Sequence, residues 1–437
     1  MKISKSTIQR TIQFLLICIP AFAAMGQQCS DHWIDKDEDE NYTSRHECSF
    51  VQAGDAFIMF GGRESAQRLD VYDYQNNSWS IGSDAPKEFN HFQATSHKGF
   101  IWVIGSFKTN KFPRELPESH VWLYFPPTNK WIQGPPVPEG RRRGSTGLVV
   151  YQNKFYILGG NTIGHDGGFV NWFDEYDPAS NTWTEREGAP HARDHFHAAI
   201  IGDKLYAAGG RKTGGEGGVF APLVKAVDTY DFSTQTWSQL DNALPTPRAA
   251  PGIAVFQNKL LVMGGEGEEK GPAYTTVEAF DPASNSWENR ADMHYPRHGT
   301  QAIVSGSGIY IAGGSHKRGG GNQLNMEVYN EDKPTGEKIT ASHLEAPKDL
   351  TLKSGSTRTI NISNTGGNAA SFITSVKLQA NDSEAFHIDS KHDFTLLDAN
   401  ESLSLTVSHI GNSTNESARL VISYNGDQKI GIQLSSN

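Results

Sequence analysis

A glycine pair followed by an aromatic pair recurs along this chain, and this repeat constrains the fold more than any other feature. The glycine pair, or in one copy Gly-Ser, ends a short apolar run at Gly61-Gly62, Gly105-Ser106, Gly159-Gly160, Gly209-Gly210, Gly264-Gly265 and Gly313-Gly314. Farther along, an aromatic residue precedes a Trp by seven positions, at Tyr72/Trp79, Tyr124/Trp131, Tyr176/Trp183, Tyr230/Trp237 and Phe280/Trp287. A period of about 50 residues is the signature of a repeat architecture in which each copy is one supersecondary unit.

This pattern resembles the Kelch repeat, and the resemblance covers about residues 29 to 335. It implies that each copy is a propeller blade of four antiparallel strands, with the glycines at the end of the second strand. It also places the chain near the secreted Kelch propellers that include galactose oxidase and sialic acid mutarotase. A copper site like that of galactose oxidase is disfavoured, because that site needs a Tyr cross-linked to a Cys and no matching motif surrounds Cys29 or Cys48.

The last repeat lacks its Trp, and a substitute stands near the other end of the chain. Tyr329 begins the aromatic pair, but Gly336 occupies the position seven residues later. The segment that begins at Trp33 matches the residues after the Trp of every other repeat. We therefore predict an all-β protein, a six-bladed Kelch β-propeller closed by the N-terminal strand, plus a C-terminal β-sandwich.

The chain divides into four predicted segments. These are a signal peptide at 1–26, the propeller at 27–336, a linker at 337–348 and an immunoglobulin-like β-sandwich at 349–437. Basic residues precede a short apolar stretch at 14–24 and small residues follow it, as in a secretory signal. Because that stretch is shorter than the ~20 residues that a membrane span needs, we expect a secreted or periplasmic protein with no membrane span. The alternating residues of 349–437 resemble the immunoglobulin-like modules appended to secreted proteins.

Charge and cysteine content narrow the partners and the covalent cross-links. A formal net charge of −10 argues against a nucleic-acid partner, which would require a basic surface. Cys29 and Cys48 would follow the signal peptide into an oxidising compartment. We nevertheless expect no bridge between them, because two further strands, at about 4.8 Å each, would separate them within a blade.

Polar residues recur at the entry to each innermost strand, roughly twelve residues after each Trp. Aligned in this way, the copies read Arg45-His46, Asn90-His91, Arg142-Arg143, Asp194-His195, Arg248-Ala249 and Arg297-His298. Gln93 and His197 stand two residues farther along, on the same side of their strands. By analogy with other Kelch propellers, these positions lie at the mouth of the central channel. We therefore predict a ligand-facing ring; the alternative is that the arginines merely pair with acidic loop residues.

Long loops between the second and third strands are predicted on the same face. Asn161 to Phe173 carries His165, Arg211 to Val227 is rich in glycine, Glu266 to Val277 carries several acids, and Ser315 to Met326 carries His316. Loops longer than a tight connection often bear function.

Two functions remain open. The first is binding of a polar or anionic carbohydrate at the channel mouth, since Arg suits a carboxylate and His is poised for proton transfer. The predicted ligand-binding residues are Arg45, Asn90, Gln93, Arg142, Arg143, Arg193, His197, Arg248 and Arg297. If the protein is an enzyme, a lyase or isomerase chemistry fits best, with acid/base candidates at His46, His91, His195 and His298.

The second function is a non-catalytic scaffold that binds a protein partner, a common role of Kelch propellers. An acidic peptide would then occupy the same ring. No cofactor and no metal site are predicted, since His195 and His197, two apart on a strand, are a weak pattern for a metal.

Overall fold

The computed structural model describes residues 32–36, 42–330, 333–379, 383–389 and 392–437. The predicted signal peptide at 1–26 and Cys29 lie outside these ranges.

The first strand along the chain and the first three blades are regular. β1 spans Trp33–Lys36. Blade one contains β2 (Cys48–Ala53), β3 (Ala56–Gly61), β4 (Leu69–Asp73) and β5 (Ser78–Ile81). Blade two contains β6 (Ala94–His97), β7 (Phe100–Val103), β8 (His120–Phe125) and β9 (Lys130–Pro136). Blade three contains β10 (Gly147–Tyr151), β11 (Lys154–Leu158), β12 (Phe173–Asp177) and β13 (Thr182–Arg186).

The next three blades repeat this plan. Blade four contains β14 (His197–Ile201), β15 (Lys204–Ala208), β16 (Asp228–Asp231) and β17 (Thr236–Gln239). Blade five contains β18 (Gly252–Phe256), β19 (Lys259–Met263), β20 (Val277–Asp281) and β21 (Ser286–Arg290). Blade six contains β22 (Ala302–Ser305), β23 (Gly308–Ala312), β24 (Met326–Tyr329) and, as its outermost strand, β1. Short 3-10 helices occur at Pro126–Thr128, Glu139–Arg141, Gly164–Asp166 and Ser383–Ala385.

The repeat residues occupy the positions that the sequence predicts. The aromatic residue and the Trp of each pair face one another across the third and fourth strands, as in Tyr72↔Trp79. Both glycines of a pair, such as Gly61 and Gly62, have positive φ and end the second strand. A Cβ on Gly61 would lie 2.6 Å from the carbonyl oxygen of Phe89 in the next blade, so neighbouring blades meet at the glycine.

Closure of the ring by the N-terminal strand is confirmed. β1 pairs antiparallel with β24, with Trp33 opposite Tyr329 and their ring centroids 5.3 Å apart. The indole N–H of Trp33 donates to the carbonyl of Ala291 in blade five at 2.9 Å. Trp33 therefore does in blade six what the missing Trp at Gly336 would have done.

The C-terminal part is a pair of sheets around its own core. One sheet has the order β25 (His343–Glu345), β27 (Thr357–Thr365), β31 (Ser402–His409) and β29 (Phe386–Ile388). The other has the order β26 (Asp349–Leu352), β33 (Gln428–Ser436), β32 (Ser417–Tyr424), β28 (Ser371–Gln379) and β30 (Thr395–Leu397). Alternate residues such as Ile362, Leu405 and Ile422 are buried between them. The more specific prediction of immunoglobulin-like connectivity stays a prediction.

The segment predicted as a linker at 337–348 is partly structured. It contains β25, whose Leu344 is buried in the sandwich core, and Ile339 packs against the propeller. The short exposed–buried–exposed pattern of His343–Glu345 is too brief to stand out from a linker in the sequence.

The sandwich packs against the face of the propeller that carries the hairpins between first and second strands. Phe372 is buried beside Trp102 of blade two, with ring centroids 5.7 Å apart. The Lys98 ammonium lies 2.7 Å from a carboxylate oxygen of Asp398. The channel mouth lies on the opposite face of the propeller, together with the loops between the second and third strands.

No helix within the described ranges is long and apolar enough to cross a membrane. Cys48 is a free, buried thiol on β2. Cys29 lies outside the described residues, so the expected lack of a bridge between the two stays a prediction.

Candidate functional site

The channel mouth holds a concave pocket of about 220 Å³, which we call the cup. Its lining residues are His46, Glu47, Arg63, His91, Phe112, His165, Arg211, Phe220, Glu266 and Gly319. They come from two sources, the segments that enter the innermost strands and the loops after the glycine pairs. The cup is therefore assembled from several blades.

Six residues, one per blade, form an inner ring where the chain enters the innermost strands. They are Glu47, His91, Ser145, His195, Ala250 and Gly299, all with φ between +49° and +70°. At four junctions within residues 42–330, the backbone N–H of one ring residue donates to the carbonyl of the preceding one, with N···O distances of 2.6–3.0 Å. Side chains on this ring therefore have a rigid backbone beneath them.

The channel is nearly closed below the inner ring. The cavity there measures only about 10 Å³, about the space of one water. The Gln93 side chain accepts from the N–H of Leu148 and bonds both backbone groups of Ala198, which ties three blades together. The sequence predicts Gln93 as a ligand-binding residue, but these bonds occupy its amide oxygen and one amide N–H and link neighbouring blades instead.

The predicted arginine ring does not reach the cup. Arg45, Arg143, Arg193, Arg248 and Arg297 are buried within their blades. Each donates to the carbonyl of the first glycine of its own Gly-Gly pair. Each also pairs with an acid on its third strand, in the order Asp70, Asp174, Asp228, Glu278 and Glu327. The arginines therefore pair with acids of their own third strands rather than with acidic loop residues, and they hold the strands of each blade together.

The sequence predicts a register for the six segments that lead into the innermost strands, and in blades two, three and four this register differs from the structure by one residue. The distance from each arginine to its Gly-Gly pair is constant at 16 residues, whereas the distance from the preceding Trp varies. In the correct register Phe89 replaces arginine in blade two. The predicted histidines then fall in two adjacent columns, with His46 and His298 in one and His91 and His195 in the next.

Three other predicted residues also lie away from the cup. Asn90 is buried, and its amide donates to the carbonyls of Glu88 and Thr109. Arg142 is half-buried, and its Nε donates to the carbonyl of Val137 at 3.3 Å. His197 lines the small cavity below the ring, where burial lowers its pKa to about 4.

The four predicted histidines His46, His91, His195 and His298 do gather at the channel mouth, in two groups. His91 and His195 meet His165, with ring centroids 4.7 Å apart for His91–His195, 5.0 Å for His91–His165 and 5.2 Å for His165–His195. One ring nitrogen from each lies within 4.8 Å of the other two, so the group could hold a metal ion. Burial lowers the pKa of all three, so the rings are neutral near pH 7.

The second group contains His46, His298 and two glutamates. Nε2 of His298 lies 3.4 Å from a carboxylate oxygen of Glu266 and 3.7 Å from one of Glu47. Burial raises the pKa of Glu47 to about 7. Burial acts on Glu266 in the same direction, but His298 and Arg211 outweigh it and lower the pKa of Glu266 to about 2. One carboxyl can therefore exchange protons near neutral pH while its neighbour stays ionised, which suits proton transfer.

Two arginines of the cup are missing from the sequence prediction. Arg63 pairs with Glu115, and its guanidinium lies 3.3 Å from Nδ1 of His165. Arg211 pairs with Glu266. A signal for them exists, because the residue directly after the glycine pair lines the cup in three blades, and in two of these it is arginine. Glu266 occupies the same position in blade five.

Comparisons with known proteins agree with this architecture. A model of the KLHDC2/KLHL20/DRC7 Kelch-repeats domain matches residues 134–314. The solved structure of YjhT aligns with a TM-score of 0.57 at 17% identity, covering 66% of this chain and 95% of that one. The chain therefore contains a Kelch-repeat domain folded as a β-propeller.

The similar curated proteins include several Kelch-like proteins. Kelch-like protein terF of Aspergillus terreus is 28% identical over 284 residues, which are 62% of this chain and 61% of that protein. Kelch-like protein 38 of Homo sapiens is 24% identical over 265 residues, 60% of this chain and 42% of that protein. The chain thus spans less than two thirds of these relatives.

Proposed function

We propose that this Kelch-repeat protein binds a small polar ligand, a carbohydrate about the size of one sugar ring, in the cup. The observation that carries the proposal is the cup itself, a concave site of about 220 Å³ with converging carboxylate, imidazole and guanidinium groups. Convergent polar groups in a concave site are the usual mark of a ligand site. Pockets for drug-sized ligands measure roughly 300–1,000 Å³, so the cup suits something smaller.

The lining chemistry favours a polyhydroxylated ligand. Carboxylates such as Glu47 and Glu266 accept hydrogen bonds from hydroxyl groups, and imidazoles can donate or accept. Phe112, which is largely exposed, offers an apolar ring face on which the C–H face of a sugar can pack.

The charges favour a neutral ligand over an anionic one. Both arginines of the cup are already paired, Arg63 with Glu115 and Arg211 with Glu266. The five buried arginines that were expected to neutralise a carboxylate lie inside their blades. An anion would therefore have to break an existing ion pair, which a neutral sugar avoids.

Titration calorimetry against neutral hexoses, amino sugars and uronic acids tests the proposal. We expect heat from at least one neutral or amino sugar, and at least a tenfold loss of affinity in Glu266→Gln, because the hydrogen bond loses its charge. Glu185→Gln, the same change at an exposed site, is the matched control and should bind as the wild type does. Absence of heat across the panel, or equal affinity of Glu266→Gln and wild type, would overturn the assignment.

A protein-binding scaffold is the second candidate, and apolar residues beside the cup favour it. Phe112, Leu116 and Ile163 are 62%, 50% and 40% exposed. Their two loops touch, since Arg114 pairs with Asp166 at 2.8 Å. Exposed apolar residues at a loop surface often mark a partner site. Affinity purification from the native cells should then recover a partner that Phe112→Asp/Leu116→Asp loses and Glu266→Gln keeps.

We also propose that the protein is exported to the periplasm or the exterior. Support comes from the basic and apolar residues of the first 26 positions. Intact-mass measurement of the protein from its native cells should show a chain that begins at Gln27. A chain that keeps residues 1–26 would refute export by this signal.

A further inference from the structure

We propose that His91, His165 and His195 bind one divalent transition-metal ion at the floor of the cup, with Zn²⁺ as the ion whose coordination they match. The sequence predicts no metal site, and His197, two residues after His195, is not part of this group. The proposal goes beyond sugar binding, because the ion site is complete in the protein whether or not a sugar occupies the cup.

The three rings converge from three blades. His91 and His195 stand on the inner ring in blades two and four, and His165 lies in the 3-10 turn Gly164–Asp166 of blade three. All three are buried. Residues that belong to separate blades and far-apart parts of the chain are thus held together by the rigid propeller.

The spacing of the rings fits a tetrahedral ion. With Zn–N distances of about 2.0–2.1 Å and tetrahedral angles, two bound imidazole centroids lie roughly 5 Å apart. The centroids here are 4.7, 5.0 and 5.2 Å apart, and the ring planes are inclined by 71–76°. Three imidazole ligands with the fourth position open is the arrangement of catalytic zinc sites.

The other ring nitrogen of each histidine is already oriented by an oxygen. Nδ1 of His91 lies 2.6 Å from the amide oxygen of Asn90, and Nδ1 of His165 lies 3.0 Å from a Glu115 carboxylate oxygen. Nδ1 of His195 is paired with the carboxylate of Asp194. Metal-bound histidines commonly donate the non-ligating N–H to such an oxygen, which fixes the tautomer and leaves Nε2 as the ligand.

The orienting groups are themselves held in place. The hydroxyl and backbone N–H of Thr213 donate to Asp194, and Glu115 is paired with Arg63. This second layer of fixed partners is a feature of built metal sites.

Packing alone explains the group less well than an ion does. Three imidazoles in edge-to-face contact are a stable aromatic arrangement. However, Nε2 of His195 is buried and has no hydrogen-bond partner among the described residues, which is an unfavourable state for a buried polar atom. A metal ion at the centre of the group would satisfy that nitrogen.

The surrounding charge also favours a cation. Within the described part of the mouth, Glu115 and Asp194 are buried carboxyl groups in direct contact with His165 and His195. Buried carboxyl groups beside the rings favour a divalent cation. The open fourth position faces the cup, where an ion would polarise a bound water or a ligand oxygen.

Zinc titration of the untagged chain tests the site. The protein is freed of metal with a chelator and titrated with ZnCl₂ in a calorimeter. We expect one Zn²⁺ per chain, with affinity at least 100-fold weaker in His165→Gln and in His195→Gln. The described residues contain two further groups with ligand spacing, one with His46 and one with His294, so His46→Gln and His294→Gln are matched controls that should keep wild-type affinity.

The outcomes separate this site from its competitors and from the sugar proposal. Failure of the wild type to bind Zn²⁺ overturns the proposal, as does a loss confined to His46→Gln or His294→Gln. If the histidine variants do not fold, zinc-edge X-ray absorption on the wild type decides, with three imidazole nitrogens expected and fewer refuting the site. If the wild type binds sugar but no Zn²⁺, the zinc proposal fails and the sugar proposal stands. If it binds Zn²⁺ but no sugar, the sugar proposal fails and the zinc proposal stands.

Discussion

Replacement of Trp33 by alanine tests whether the N-terminal strand holds the propeller closed. Trp33 is 3% exposed and packs between Tyr329 of its own blade and the core of blade five. Its indole N–H donates to the carbonyl of Ala291. The side chain therefore joins the two ends of the propeller, and its loss should act on the whole ring.

The magnitude is set by burial. A buried Trp removes roughly 150–250 Å² from water, which at about 25 cal/mol per Å² corresponds to about 4–6 kcal/mol. Alanine replacements of buried Trp and Phe cost about 3–5 kcal/mol, and the lost indole hydrogen bond adds about 1 kcal/mol. We expect the free energy of unfolding to fall by about 4 kcal/mol, a large share of the roughly 5–15 kcal/mol that is typical of domains.

Trp287 provides a matched control. It occupies the same repeat position in blade five, its ring centroid lies 5.3 Å from that of Phe280, and its N–H donates to the carbonyl of Asn242. It is only half-buried and belongs to a blade built from one continuous stretch of chain. Trp287→Ala should therefore cost about half as much, near 2 kcal/mol.

Urea unfolding followed by far-ultraviolet circular dichroism measures both variants. Deletion of residues 27–43, which removes β1, should abolish cooperative unfolding of the propeller. A loss below about 1 kcal/mol in Trp33→Ala, or a loss smaller than that of Trp287→Ala, would refute closure by Trp33. So would a deletion variant that melts as the full chain does.

Three further predictions concern residues inside the propeller. Arg248→Met should lower the free energy of unfolding in urea by about 3–5 kcal/mol, because Glu278 is left buried without its partner. The folded variant should keep wild-type affinity for ligand. Lost affinity with unchanged stability would contradict the structural role of Arg248. Burial raises the pKa of the Cys48 thiol to about 12. In a variant with serine at the other two cysteines, a thiol reagent at pH 8 should therefore label the chain only in urea. Rapid labelling of the native protein would show that the thiol is accessible. Asp194→Asn should weaken zinc binding by about 10–100-fold, because the carboxylate orients His195; unchanged zinc affinity would remove Asp194 from that role.

The candidate site was only partly predictable from sequence, and the reason lies in the register. Side chains alternate across a strand, so a one-residue error moves a residue from one environment to another. The spacing from Trp placed Arg142 and Arg143 in the mouth, whereas the constant spacing to the glycine pair places Arg143 inside its blade, on the carbonyl of Gly159. The histidines were found despite the shift, since either column opens towards the channel.

The number of blades, the pairing of their aromatic residues and the closure through Trp33 could all be predicted from the amino-acid sequence. Those features are local or repeated, because each blade is one supersecondary unit of about 50 residues that pairs its own strands and packs its apolar faces against the neighbouring blades. Which polar groups meet at the mouth depends instead on the three-dimensional arrangement of the blades. His91, His165 and His195 lie in three different blades, and their contact depends on how loops of unequal length fold over the ring. Contacts between residues far apart in the chain produce no regular spacing in the sequence. The sequence therefore predicts an arginine ring at the mouth, whereas the structure has a histidine cluster and two paired arginines there.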